Sequence, residues 1–292
     1  MDTRTIAAEH ELPALAELAE SLQRCPETHV IFFGLDAPGI LAELAEATWS
    51  DVSAVVVDGD HVIGWMVGDV DPEMGRVWWL GPFVAADADD EWEPIATALL
   101  AAGRRQLSAE VDEEEIAVDA RFERCRAWAQ SEGFAEEEGS AVLRLDVDLD
   151  PEPGSATVRE VTDVDHDVVA RLHEQMFPGT HTTGRALVTG HDDIHRRLVI
   201  ESDDEVVGYI AVERQADGSG YIDYLGVEPT ARRNGLGAVL VRAGVAELRR
   251  LDVTDIGLTV RVGNEGARGL YRSLGFDEER VAIPLRRGFS IA

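Results

Sequence analysis

The chain has 292 residues, enough for about two domains, and 45% of them are apolar, which excludes a disordered chain. Net charge is −31 and all 26 basic side chains are arginine, so nucleic-acid phosphates and anionic lipid are repelled and neither is an expected partner. No apolar run approaches the roughly 18 to 20 residues of a membrane span, and Met1–Thr5 lacks the pattern of a secretory signal. A cytoplasmic location is therefore expected.

In chain order, apolar residues at three- and four-residue spacing predict a helix over 12–22. Strands are expected over 53–57 and 62–67, then over 76–84, followed by a long amphipathic helix over 95–107. Another strand, a short helix and the pair Gly133-Phe134 end this stretch. Residues 146–155 are acidic and rich in Pro and Gly, and read as a linker. The same order then returns: a helix over 168–176, strands over 197–200, 206–212 and 221–227, and a long helix over 236–248. A strand, a short helix and Gly275-Phe276 close it.

Landmark spacings support a duplication. Gly64 and Gly208 lie 144 residues apart, Gly81 and Gly226 145, and Gly133 and Gly275 142. Strands alternating with helices give an α/β class, with units expected over 1–150 and 151–292. The two cysteines, Cys25 and Cys125, have no metal-binding spacing, so no metal is expected.

The strand ending at Pro229 is followed by Thr230-Ala231-Arg232-Arg233-Asn234-Gly235-Leu236-Gly237-Ala238, which opens the long helix. A helix N-terminus presents unpaired N–H groups and partial positive charge, and glycines let phosphate oxygens approach them. Arg232 and Arg233 add local positive charge to an acidic protein. A dinucleotide-binding turn would need a third glycine where Leu240 stands, and a P-loop needs a lysine that the chain does not contain.

Arg232, Gly235 and Gly237 match the Gln/Arg-x-x-Gly-x-Gly/Ala turn of the GNAT acyltransferases. The run Asn264-Glu265-Gly266-Ala267-Arg268-Gly269-Leu270-Tyr271-Arg272-Ser273-Leu274-Gly275-Phe276 matches that family's second motif, and the resemblance spans about residues 157 to 285. It implies two tandem GNAT units, each a mixed, mostly antiparallel sheet flanked by helices. The tandem plan resembles that of the mycothiol synthases. The implied acyl donor is acetyl-coenzyme A or a related thioester. Its pyrophosphate would sit on the amides of Arg233, Asn234, Gly235, Leu236, Gly237 and Ala238, and its pantetheine arm along Leu225, Gly226 and Val227.

Direct attack by an amine on a thioester needs a base, donors for the oxyanion and a proton for the leaving thiolate. By the resemblance, Tyr271 is the candidate acid and the Val227 N–H the oxyanion donor. Strand alternation puts Asp223 on one face with Tyr221 and Leu225, where it can take the amine proton or bind an ammonium group. Asn264 reads equally as a helix cap or a coenzyme contact, and Arg268 and Arg272 as a solvated face. The family lines its acceptor pocket with the region holding Glu174, Phe177 and His181, and His181 is a second candidate base.

The first half lacks these parts. Sequence offsets align Asp223 with Trp78, Tyr271 with Ala129 and Asn264 with Phe122. An acidic, glycine-free stretch from Ala85 to Pro94 replaces the phosphate turn, so this half is expected to be a degenerate, non-catalytic unit. Its Trp78, Trp79 and Trp92 could line a cleft, with core packing the favoured use of the first two. The leading reading is an N-acetyltransferase for a small-molecule amine. A coenzyme A-binding sensor without turnover and a protein or peptide N-acetyltransferase are the alternatives, and the reading leaves room for a homodimer.

Overall fold

The structure, a computed structural model, describes residues 2–5, 9–31, 33–46, 51–59, 61–85, 89–145, 157–178, 180, 182–190, 192–215 and 218–288. His181 and the stretch read as a linker, 146–155, lie outside these residues.

Elements follow in chain order as β1 (Asp2–Arg4), α1 (Leu12–Gln23), α2 (Ala37–Glu46), β2 (Ser53–Asp58), β3 (His61–Asp71), β4 (Arg76–Val84), α3 (Asp89–Arg104), β5 (Glu113–Asp119), α4 (Glu123–Ser131) and β6 (Ala135–Glu136). Next come β7 (Ser140–Leu145), β8 (Thr157–Glu160), α5 (His166–Met176), α6 (Gly184–Thr189), β9 (His195–Ser202), β10 (Glu205–Arg214) and β11 (Gly220–Val227). The chain continues with α7 (Leu236–Arg250), β12 (Ile256–Arg261), α8 (Glu265–Ser273) and β13 (Asp277–Gly288).

Two units form. One holds residues up to Ser140 together with the segment from Arg280, and the other holds Ala141–Glu279. The first has strand order β1-β2-β3-β4-β5-β13, with β6 also on β13, and the second has β8-β9-β10-β11-β12-β7. In both, the first four strands are antiparallel neighbours and the fourth runs parallel to the fifth. A parallel pair needs a crossover, which the long amphipathic helices α3 and α7 supply.

Each sheet is covered on both faces. In the first unit α3 and α4 bury Trp79, Leu99 and Trp128 on one side, while α1 and α2 bury Leu15, Ile40 and Trp65 on the other. In the second, α7 and α8 cover Ile222, Leu240 and Phe276, and α5 and α6 cover Val199, Tyr209 and Tyr224. The matched glycines lie under the crossover helices. A Cβ on Gly64 would stand 2.6 Å from Ile95, and one on Gly208 would stand 2.8 Å from the Gly226 carbonyl and 3.3 Å from Leu240.

Strand register corrects two readings of the sequence. In β11, Tyr224 pairs with Ala211 and Ile222 with Val212, so Asp223 is the extra residue of a β-bulge. The bulge shifts the alternation: Leu225 packs with the α7 side, away from the face of Tyr224, so Asp223 and Leu225 do not share a simple period-two face. In the first unit the extra residue lies at Gly81-Pro82, between the pairs Trp65↔Phe83 and Val67↔Leu80. With Gly64 matched to Gly208, Asp69 falls at Glu213 and its partner Trp78 at Tyr221. Asp223 therefore has no counterpart in the first unit. Trp79 and Trp92 are both buried, Trp92 edge-on to Phe122 and Trp128; Trp78 and Trp79 line one cavity and Trp92 another, and of the three Trp78 is only half-buried.

Candidate active site

Strands β11 and β12 pair at Gly220↔Ile256 and Tyr221↔Gly257, and there the pairing stops. Beyond that point no further ladder pair joins the two strands among the described residues, which leaves a fork between them. Glu228 donates its N–H to Val207 across β10, at 2.8 Å. By the alternation of an antiparallel ladder, Val227 and Leu225 then turn their N–H and C=O groups to the other edge, toward the fork. The Val227 carbonyl there accepts from Arg232 Nε at 2.9 Å. Gly226 turns its N–H and C=O toward β10, and a Cβ on it would run into Met176 and Tyr209 on the α5 face.

The turn after β11 delivers backbone donors to the mouth of this fork. Arg233 (φ 65°) and Gly235 (φ 80°) both take left-handed backbone, and Gly235 is the N-cap of α7. Among the described residues, none of the N–H groups from Arg233 to Gly237 donates a hydrogen bond, whereas that of Ala238 is taken by the Gly235 carbonyl at 3.0 Å. Arg232, Arg233, Asn234 and Gly235 are exposed. The result is five consecutive unpaired amides at the positive end of a 15-residue helix, an arrangement suited to an anion. A Cβ on Gly237 would stand 3.1 Å from Leu270.

On the α5 and α6 side, charged groups gather around the bulge. Asp223 is half-buried, and burial together with the neighbouring Glu213 raises its pKa to about 6, against the opposing pull of Arg197 and His195. Arg197 is 6% exposed and donates to the carbonyls of Leu187 and Val212. His195 lies 3.3 Å from Glu213 and 2.9 Å from Asp192. Sequence reading did not find Arg197, Glu213 or His195, because they come together only through the pairing of β9 with β10.

Tyr271, on α8, is 6% exposed and edge-on to Phe276, with ring centroids 5.5 Å apart. Burial, with a lesser effect from Tyr221, pushes its phenol above the ordinary range. Tyr221 in turn bonds Thr259 across the base of the fork at 2.9 Å, and its own phenol is raised mainly by burial and in part by Asp223.

The other expected residues are placed as follows. Asn264 caps α8, accepting from the Ala267 N–H at 3.2 Å. Arg268 and Arg272 pair with Glu278, at 2.8 and 3.3 Å. Glu174 is exposed and accepts from the Gly184 N–H at 2.7 Å, securing the start of α6. Phe177 packs edge-on against Tyr224, 5.1 Å between centroids. The sequence reading also passed over His173, which is fully buried and lies 2.8 Å from the Tyr209 hydroxyl and 2.9 Å from the Thr182 carbonyl. Among the described residues no group of three or more His, Cys, Asp or Glu side chains is arranged to hold a metal, and no helix is long and apolar enough to cross a membrane.

Comparison with known proteins bears on both units. Residues 167–276 match the acetyltransferase (GNAT) family. The mycothiol acetyltransferase of Saccharopolyspora erythraea is 27% identical over 208 residues, covering 60% of this chain and 68% of that protein. A GCN5-related N-acetyltransferase from Sphaerobacter thermophilus has the same fold over 99% of this chain and 95% of its own, with a TM-score of 0.77 at 18% identity. A tandem GNAT protein from the clavulanic acid biosynthesis pathway aligns over 100% and 99%, with a TM-score of 0.64 at 15% identity. Residues 167–276 of the second unit thus carry the acetyltransferase (GNAT) match, and the fold of the chain is that of two GNAT units in tandem.

Proposed function

We propose that the second unit binds acetyl-coenzyme A and transfers its acetyl group to the primary amine of a small molecule by direct attack. The first unit is non-catalytic in this reading. The observation that carries it is the row of unpaired amides from Arg233 to Gly237 on an otherwise strongly anionic chain. A diphosphate would lie on those amides with Arg232, Arg233 and Asn234 around it, over Leu236 and Ala238. The pantetheine arm would extend the ladder of β11 along the edge of Leu225, Gly226 and Val227, with Asn264 shaping the far side of the fork.

The reaction then runs as follows. Asp223 takes a proton from the amine, directly or through water. The amine nitrogen bonds to the thioester carbon, and the Val227 N–H stabilises the oxyanion. The carbon–sulfur bond breaks, and Tyr271, kept protonated by its burial, gives its proton to the thiolate. Glu174 and Phe177, with His181, belong to the acceptor side of this scheme.

Calorimetry on the full chain tests the carrying observation. Acetyl-coenzyme A is expected to bind in the micromolar range, and Gly237→Glu to abolish binding by placing a carboxylate over the amides and against Leu270. Tyr271→Phe is expected to leave binding intact and slow turnover by roughly 10²-fold. Binding that survives Gly237→Glu unchanged would overturn the reading. Thiol release measured across a panel of amines and a peptide with a free N-terminus separates the acceptors. Release with the peptide alone would favour a protein acceptor, and none at all a sensor.

A further inference from the structure

We infer that the first unit holds a ligand site of its own, a cavity that takes an amphipathic cation: a protonated amine carried on a flat apolar group. The cavity has a volume of about 580 Å³, within the usual range for small-molecule sites. Its apolar walls include Phe33, Trp78 and Leu80, and its carboxylates are Glu43, Asp69 and Glu115, with no cationic side chain among the lining residues.

Those carboxylates are not equivalent. Glu115, 6% exposed, is matched by Arg286 at 2.8 Å and Arg76 at 3.4 Å. Glu43 accepts from the Gly34 N–H at 3.0 Å, which fixes its orientation. Asp69 makes no hydrogen bond or ion pair with any described residue, although it is half-buried on β3. Burial, and to a lesser extent Asp71, raises its pKa. A carboxylate in that position is stabilised by a cation that enters the cavity. Indole, phenyl and leucine walls favour the apolar body of such a ligand, while its charge is met by Asp69, because the Trp78 ring already has the Arg76 guanidinium 5.4 Å from its centroid.

The site stands where the second unit has Glu213 and Tyr221, since Asp69 and Trp78 occupy the equivalent register positions. The two units thus share an acidic and an aromatic position at this place in the register. The first unit lacks the glycine turn that would bring an acyl donor to it, because α3 opens at Asp89 after a glycine-free stretch. An amine held there is bound without being acylated. This inference rests on the geometry of the first unit and does not depend on the reaction assigned to the second.

The test uses the full chain without acetyl-coenzyme A, titrated with tryptamine and, separately, with indole-3-propionate, which has the same ring and the opposite charge. Tryptamine is expected to bind and indole-3-propionate not to. Asp69→Asn is expected to weaken tryptamine at least tenfold, and Trp78→Ala to weaken it as well. In Asp223→Asn the Asp69-dependent binding is expected to persist, which separates this site from the second unit. Three results would overturn the inference: no tryptamine binding, equal binding of the two indoles, or tryptamine affinity unchanged by Asp69→Asn. Circular dichroism checks each variant. If Asp69→Asn does not fold, Trp78→Ala decides the matter by the same criterion.

Discussion

A carboxyl group placed as Asp223 is has to trade stability for reactivity. Its pKa of about 6 comes from burial first and from Glu213 second. The ascending limb of kcat/KM is expected near that pH, since only the carboxylate can accept a proton. Glu213→Gln removes a like charge, so the limb should move to lower pH; a limb that stays in place would show that another group is the base. The same shift has a sign for folding. The native state favours the protonated form, so the penalty is absent below the unfolded value of about 3.9 and develops as pH rises through about 6. Asp223→Asn should therefore raise the melting temperature at pH 7.5, by an amount equivalent to at most about 3 kcal/mol and less after solvent screening. The gain should vanish below about pH 4 while turnover falls roughly 10²-fold at neutral pH. Calorimetric melts of both proteins at the two pH values measure it.

At the scale of elements, turns and caps govern what holds the second unit in shape. Arg159 on β8 clamps Asp165 at 2.6 and 2.9 Å, and Asp165 and Thr162 form a reciprocal capping box just before α5. The Arg159 hydrogen bond, helped by Thr162, holds the Asp165 carboxyl well below its usual range. A depressed pKa stabilises the fold above the unfolded value and is lost as pH falls toward the folded one. Asp165→Asn should then cost on the order of 2 kcal/mol at pH 7, with the difference shrinking below about pH 3; urea titrations at both pH values read it. Elements of this kind vary in how visible they are in the sequence. The turn before α7 was legible because Gly235 marks a left-handed backbone that other residues rarely adopt, and α8 because Asn264 caps it where its motif begins. The bulge at Asp223 was not, because both faces of β11 are covered by helices, so apolar residues stand on either side of the strand and a shift of phase shows only in the register with β10. The cluster of Arg197, Glu213 and His195 was hidden for the same reason. His195 and Arg197 lie on β9 and Glu213 on β10, and no local spacing reports which strands will pair.

For the molecule as a whole, the strand beside the fifth position of each sheet comes from the other half of the sequence. β13 completes the first unit: Leu285 is fully buried there, Arg287 reaches the buried Glu114 at 2.7 Å, and Arg286 reaches Glu115 at 2.8 Å. Glu114 also accepts from Trp79 Nε1 and Arg104 Nε, both at 2.9 Å, so its charge is matched by groups from three elements. β7 completes the second unit, where Ala141, Leu143 and Leu145 are fully buried and Arg144 pairs with Asp255 at 3.1 Å. Nothing in the repeat itself announces this exchange, since β7 and β13 each follow the Gly-Phe pair of their own half. It does determine where the chain can be cut. A fragment of residues 151–292 keeps the turn from Arg232 to Ala238 but loses the three buried side chains of β7 and gains a β13 without β5. Burying a leucine contributes about 1.5 to 3 kcal/mol, so two leucines alone amount to much of the stability of a domain of this size. A fragment of residues 141–279 keeps β7 and omits the β13 segment that belongs to the first unit. The expected outcome is that 141–279 unfolds cooperatively and binds acetyl-coenzyme A, whereas 151–292 aggregates or melts without a transition. Differential scanning calorimetry on the two fragments decides it, and a well-folded 151–292 would mean that β7 is dispensable to the sheet that carries the fork.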